Sequence, residues 1–262
     1  MKQKLSFLSL TSMQLKWFAV VFMFLDHFSK IFQLQIVSWM GRTMNLSEKE
    51  AQFFFFLIFS VGRIAFPLFA FFVAQGVTHT RSRMRYLSRL FLFGLVSELP
   101  FQLMVCLIRG QTVVLRPAFT NVLFTLWLGG IACAGYDRWK GRAVCFLPLV
   151  FSMIVAQLLG TDYGGMGVLL VFCCYVPVES CHKLWGAAIV LGLKYGLLGL
   201  LQTIEAYDGV FLAQTLLQLA FALLSIALLA CYNGRRGSGS GGFFYWFYPL
   251  HMLGLAGCRL LL

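Results

Sequence analysis

The chain has 262 residues, of which 60% are hydrophobic and only 11% are charged. This composition excludes a soluble globular domain of that length and is typical of an integral membrane protein. The net charge of +12 would suit a nucleic-acid-binding protein, but the cations are grouped in loops between apolar stretches, which excludes nucleic acid as a partner.

Nine apolar stretches follow one another along the chain, each about 20 residues long and therefore able to cross the bilayer as a helix. The first is interpreted as a retained helix, because no small-residue cleavage site follows it. The sequence thus predicts an all-α, multi-pass protein of the cell membrane, with one transmembrane domain over residues 1–262. The predicted spans are 14–36, 53–77, 87–108, 118–136, 143–160, 165–180, 183–201, 210–232 and 243–261.

The loop cations predict the orientation of the spans. Cytoplasmic loops carry an excess of Lys and Arg, so the more basic side, which includes the N-terminus, is expected to be cytoplasmic. The cations of this side are Lys2, Lys4, Lys16, Arg81, Arg83, Arg85, Arg89, Arg138, Lys140, Arg142, Lys183, Arg235 and Arg236. The cations of the other side are Arg42, Lys49, Arg109, Arg116 and Arg259.

No predicted loop is long enough to form a folded domain. The longest runs from about 37 to 52, so any site must be assembled from the helices and their ends. Polar residues inside the spans are therefore the candidates for function. The GSGSGG run at 237–242 is interpreted as a flexible connector before the last helix.

The first span contains FLDHFSK, with four polar residues near mid-membrane depth. Asp26 and Lys30 are four residues apart and can pair on one helix face, whereas Asp26 and His27 point in different directions. Two interpretations of His27 remain open. It either hydrogen-bonds a neighbouring helix, or it lines a cavity as a proton acceptor.

In the second span, GRIAFP places Arg63 four residues before Pro67. Pro67 removes the backbone hydrogen bond to the Arg63 carbonyl, so we expect a bend there. Arg63 either lines a cavity at this bend or pairs with Asp26 or Glu98 as a structural element.

The sequence HTRSRMRYLSR follows the second span. Guanidinium groups bind phosphate oxygens in bidentate fashion, so such a cluster suits a phosphate-bearing ligand, but it also suits an anchor to anionic lipid. The cluster consists of His79, Arg81, Arg83, Arg85 and Arg89.

Further polar groups lie in the later spans. Glu98, Lys194 and His251 are intramembrane, Asn121 opens the fourth span, and Asp162 is predicted to cap the sixth. No metal site is predicted, because the spacing of Cys173, Cys174, Cys181 and His182 fits no common zinc pattern.

The chain resembles the TraX family, whose namesake acetylates the N-terminus of F-type conjugative pilin at the membrane. The matching stretches cover nearly the whole chain in order: FLDHFSK, GRIAFPLFAFFVAQG, HTRSRMRYLSRLFLFGLVSELPFQL, NVLFTLWLG, DYGGMGVLLV and FYWFYPLHML. The resemblance implies an integral membrane acyltransferase, distantly similar to the acyltransferase-three group, that takes acetyl groups from cytoplasmic acetyl-CoA and uses an intramembrane His.

Carried over to this chain, the resemblance assigns that His to His27 and the Arg of the family motif to Arg63. The hypothesis is that His27 deprotonates an amine or hydroxyl acceptor, on either a peptide N-terminus or a small molecule, while Arg63 stabilises the oxyanion or orients the thioester carbonyl. Asp26 and Glu98 would position Arg63 and Lys30, and the Arg cluster would bind the phosphates of acetyl-CoA. The alternatives are a proton-coupled secondary transporter and a scaffolding subunit.

Overall fold

The computed structural model describes residues 9–112, 118–176, 180–206, 209–239 and 241–261. Regular structure within these ranges is helical, apart from one isolated parallel bridge between Leu10 and Tyr232. Lys2, Lys4 and Arg116, which entered the charge argument, lie outside the described residues.

Every predicted span contains helix. The first half of the chain forms α1 (Ser12–Ile31), α2 (Gln33–Thr43), α3 (Glu48–Val61), α4 (Ala65–His79), α5 (Arg83–Arg109) and α6 (Val122–Arg138). The second half forms α7 (Leu147–Leu158), α8 (Gly164–Tyr175), α9 (Ser180–Leu191), α10 (Leu198–Ala206), α11 (Gly209–Ala230) and α12 (Gly242–Leu260).

The predicted loop 37–52 is wrong as a loop, because α2 occupies most of its first half. α1 and α2 meet at an angle of 81°, so the first predicted span is broken after Ile31. α3 then begins at a capping box, in which Ser47 accepts from the Glu50 amide and Glu50 accepts from the Ser47 amide.

Four continuous helices in the described chain are long and apolar enough to cross a membrane, or five if the bent pair is one span. They are 48–79, 83–109, 181–204 and 211–230, with 12–43 as the bent pair. α7 and α8 are apolar but shorter. The structure thus supports a membrane protein, while nine crossings and a cytoplasmic N-terminus stay predictions.

The helices pack around α4, which contacts α1, α6, α8 and α11, while α5 packs between α6 and α12. Small residues allow this close packing, as is usual between membrane helices. A Cβ at Gly129 would collide with Val171 of α8, and one at Gly130 would collide with Leu87 of α5. The helix axes can therefore approach each other where the core is densest.

The segment that precedes α12 packs against the start of α1. The Ser12 and Met13 amides donate to the carbonyls of Arg235 and Arg236, at 2.9 and 3.0 Å. Gly237 and Gly239 take positive φ values and pack against the start of α1. The predicted connector thus folds against the first helix, which brings α1 and α12 side by side.

Candidate functional site

Two buried histidines form the centre of the site. His27 of α1 and His251 of α12 are joined by a 2.7 Å contact between His27 Nδ1 and His251 Nε2, and their rings are nearly parallel. Both residues are less than a tenth exposed. The structure therefore supports the interhelical partner considered for His27 and identifies it as His251.

The hydrogen-bond pattern determines the tautomer of each ring. His251 Nδ1 lies 2.8 Å from the Phe247 carbonyl oxygen, which can only accept, so Nδ1 carries the proton and Nε2 accepts. His27 Nδ1 therefore donates to His251. His27 Nε2 is left with its lone pair, which is the form that a general base requires.

An ion network lies beside this pair. Asp26 accepts from Lys30 at 2.6 Å and from the Arg63 guanidinium, so the predicted i,i+4 pair is confirmed and Arg63 joins it. The nearest Asp26 oxygen is 4.0 Å from His27 Nε2, too far for a hydrogen bond. Asp26 and Arg63 are largely buried, and such groups are held only when each charge has a partner.

The backbone around Arg63 explains how it reaches Asp26. α3 and α4 continue as one helix through a 3₁₀ turn, Gly62–Ile64, just before Pro67. The structure thus shows a tighter turn of helix before Pro67, and the predicted bend stays a prediction. A side chain at Gly62 would collide with Asp26, so glycine lets this turn approach α1.

One hydrogen-bond donor of Arg63 is not used by the contacts of the site. Its Nε is buried and has no hydrogen-bond partner within the described chain, while its guanidinium lies 4.8 Å above the Phe59 ring. An orphaned buried donor is unusual, and a ligand oxygen would satisfy it. The structure shows the pairing of Arg63 with Asp26, whereas Arg63 does not line the cavity described below, so its cavity role stays a prediction.

Aromatic and cationic residues extend the site towards α8 and the segment after α9. Tyr163 has the left-handed backbone conformation, φ 69°, and stacks on Phe66 with ring centroids 3.6 Å apart. Lys194 lies 5.2 Å from the Tyr163 ring, within a π-helical turn, Gly192–Leu197. Strained backbone and π-turns are concentrated at functional sites.

Glu98 does not contribute to the ion network, contrary to the expectation that it holds Arg63 or Lys30. Its carboxylate accepts from the amides of Thr120 and Asn121 and from the Asn121 side chain at 2.6 Å. Asn121 in turn accepts from the Leu123 amide as the N-cap of α6. These two residues therefore anchor the start of α6.

Asp162 does not cap α8. The N-cap position is Tyr163, and no side chain caps this helix. The Asp162 backbone instead binds the preceding segments, donating to the Thr120 carbonyl at 2.7 Å and accepting from the Thr125 hydroxyl.

The predicted basic cluster is divided by the fold. Arg83 binds Asp137 at 2.6 Å and the Val77 carbonyl, so it joins α4, α5 and α6. His79 contacts Gln75 of its own helix. Arg81, Arg85 and Arg89 are all exposed, and Arg89 alone of the five residues lines the cavity described next.

A cavity of about 620 Å³ lies between α1, α4, α5, α6 and α12. Its lining is mainly apolar, with Lys16 and Arg89 towards the ends of α1 and α5 that carry the basic residues. Tyr248 lies at the other end, 6.3 Å from His27 between ring centroids. The cavity therefore extends from the basic end of the bundle to the layer below the histidine pair.

The sequence pattern did not identify Lys16, Tyr163 and Tyr248 as residues of the site, although Lys16 was counted among the loop cations. Tyr248 had a local signal, because it precedes His251 by three residues and so shares its helix face. Within the described residues, no group of three or more His, Cys, Asp or Glu side chains is arranged to hold a metal ion.

Comparison with known proteins gives two matches. The family model described as TraX protein matches residues 11–259. A probable fimbrial assembly protein, FimC of serogroup H1, from Dichelobacter nodosus is 29% identical over 259 residues, covering 96% of this chain and 97% of the relative. No solved structure matches.

Proposed function

This chain belongs to the TraX family, and from that premise we propose that it is a membrane acetyltransferase with acetyl-CoA as donor. The observation that carries the proposal is the buried His27–His251 hydrogen bond, which leaves His27 Nε2 as a proton acceptor. The name of the Dichelobacter relative supports a fimbrial subunit as the source of the acceptor, a peptide N-terminal amine.

The proposed reaction is a direct acyl transfer. The acceptor nitrogen attacks the thioester carbonyl, and His27 Nε2 takes a proton from that nitrogen. The carbon–sulfur bond then breaks and the proton passes to the thiolate, which leaves as free coenzyme A. An amide and a thiol are formed, so atoms and charge balance.

His251 and Arg63 have supporting roles in this scheme. When His27 gains its proton, its Nδ1–H continues to donate to His251, which keeps the ring in one orientation. The unpartnered Arg63 Nε–H supplies a donor for the oxyanion of the tetrahedral intermediate. Asp26 holds Arg63 and stays ionised throughout.

The test measures transfer of label from ¹⁴C-acetyl-CoA into an acceptor peptide with a free, apolar N-terminus, using protein in lipid nanodiscs. His27→Ala should lower transfer by about 10²- to 10⁴-fold, the usual contribution of a general base. His182→Ala is the matched control, since His182 is an exposed histidine on α9. Full activity in His27→Ala would contradict the assignment of the base.

Donor binding separates the acetyltransferase from the rival transporter. Calorimetry should show saturable binding of acetyl-CoA to the wild-type protein. No binding to folded protein, combined with proton-linked solute uptake by vesicles, would favour a proton-coupled secondary transporter, in which the two histidines would relay protons.

A further inference from the structure

The cavity below the histidine pair has the features of a site for a long ligand with an anionic head. We propose that it is the donor site, with the phosphates of coenzyme A bound at its mouth by Lys16 and Arg89 and the pantetheine arm inside. This inference rests on the proposed function and adds the location and the residues of donor binding.

The mouth is electropositive. Lys16 of α1 and Arg89 of α5 both line it, and neither forms a salt bridge within the described chain. Arg236 lies within electrostatic range of Lys16. Lys16 is held over the Phe72 ring at 5.2 Å, so its ammonium group is positioned without an acidic partner. Unneutralised cations at the mouth of an apolar cavity favour an anionic head group with a less polar tail.

Helix geometry sets the depth from the mouth to the reacting groups. Lys16 and His27 are eleven residues apart on α1, which corresponds to about 16 Å at 1.5 Å per residue. The pantetheine arm has the backbone length of roughly four to five extended residues, about 15 Å. Phosphates at Lys16 would therefore place the thioester at the level of His27.

The inner end offers a polar group for the acyl part of the donor. Tyr248 lines the cavity and is only 4% exposed. Its hydroxyl makes no hydrogen bond of standard geometry to a described residue, although the Val122 backbone lies close to it. A buried hydroxyl without a partner costs free energy that a ligand carbonyl would recover. The thioester and amide carbonyls of the arm are acceptors of this kind.

The glycine-rich segment before α12 contributes backbone to the mouth. Gly241 and Gly242 line the cavity, and α12 begins there without a side-chain cap. Absence of side chains lets phosphate groups approach the backbone, and the positive end of the helix dipole favours them. This placement supports the mouth as the phosphate site, rather than Arg81 and Arg85, which do not line the cavity.

The experiment compares two arginines one helical turn apart on α5. Arg89→Gln and Lys16→Gln should each weaken the binding of coenzyme A roughly tenfold, the effect of losing one charge-assisted contact. Arg85→Gln is the matched control, because Arg85 is exposed and does not line the cavity. Binding is measured by calorimetry in nanodiscs of zwitterionic lipid.

A second ligand separates contact with the phosphates from damage to the fold. S-acetylpantetheine lacks the nucleotide, so its affinity should be the same in the wild type, Lys16→Gln and Arg89→Gln. If Lys16→Gln and Arg89→Gln lose affinity for both ligands equally, the phosphate assignment is overturned. Equal affinity of coenzyme A for Arg85→Gln and Arg89→Gln would also overturn it.

Three further outcomes have distinct meanings. Wild-type protein that binds neither ligand would overturn the proposed function together with this inference, whereas normal binding that is insensitive to Lys16 and Arg89 would overturn the inference alone. Anionic phospholipid could instead bind to the wild type and not to Arg89→Gln, while the two proteins bind coenzyme A with equal affinity. That result would identify the cations as a lipid-binding site.

Discussion

At the scale of single residues, the candidate site depends on contacts within one helix and on contacts between distant helices. Asp26 and Lys30 are one helical turn apart, so their pairing follows from helix geometry. The His27–His251 contact joins residues 224 positions apart, and nothing in the local pattern around either residue specifies the other. Long-range partners of buried polar groups depend on how the helices pack, which spacing along one chain does not contain.

His251 is expected to act through His27 as a positioning residue. His251→Leu removes the acceptor for His27 Nδ1–H and should lower acetyl transfer by about 10- to 100-fold, because it leaves a buried donor unpaired and the ring free to rotate. His251→Gln places an amide oxygen near the position of Nε2 and should restore most of the rate. Equal losses in the two variants, measured by label transfer, would indicate a role in packing only.

Arg63 gives a second test at this scale. Arg63→Lys keeps the charge beside Asp26 but removes Nε–H, so turnover should fall about 10²-fold while donor affinity changes little. Steady-state kinetics separates kcat from KM. A change confined to KM would show that Arg63 binds substrate without stabilising the oxyanion.

At the scale of helices, the apolar stretches identified each segment but not its breaks. No Pro or Gly lies at positions 31–33, where α1 gives way to α2. The 81° bend between these helices therefore has no local signal in the sequence. The Arg63–Pro67 segment predicted a bend, and the structure shows a 3₁₀ turn there within one continuous helix. Glu98 also owes its role to the arrangement of helices, since it anchors α6 from its position on α5.

Glu98→Ala should destabilise the bundle by about 1–3 kcal/mol, because it leaves the buried Asn121 amide without its acceptor and removes one of the two acceptors of the Asn121 side chain. Thermal unfolding in detergent measures this as a lower midpoint. Glu48→Ala is the control, since Glu48 is exposed at the start of α3. An unchanged midpoint for Glu98→Ala would show that the α5–α6 contact does not depend on this carboxylate.

At the scale of the whole molecule, composition identified a helical membrane protein, which the structure supports. Counting crossings is harder, because α7 and α8 are apolar but shorter than a typical span and α1 and α2 form a bent pair. Apolar length alone does not distinguish a short crossing helix from a core helix packed within the bundle. The orientation rests on the loop cations alone.

Labelling from outside the cell tests that orientation. In a chain whose eight cysteines are replaced, a membrane-impermeant maleimide should label Lys49→Cys and Leu261→Cys but not Met84→Cys, since all three positions are exposed and Met84 lies at the basic end. Labelling of Met84→Cys alone would reverse the orientation. Labelling of Lys49→Cys without Leu261→Cys would require an even number of crossings between a cytoplasmic N-terminus and the C-terminus.

The origin of the two histidines has a consequence for how the protein is made. His27 belongs to α1 and His251 to α12, and the Ser12 amide at the start of α1 donates to the Arg235 carbonyl in the segment before α12. During synthesis His27 enters the membrane first, and its partner follows only after the 224 positions that separate the two residues have been translated. A nascent or prematurely terminated chain therefore holds an unfinished centre, and the proposed activity begins only when the last helix has been inserted.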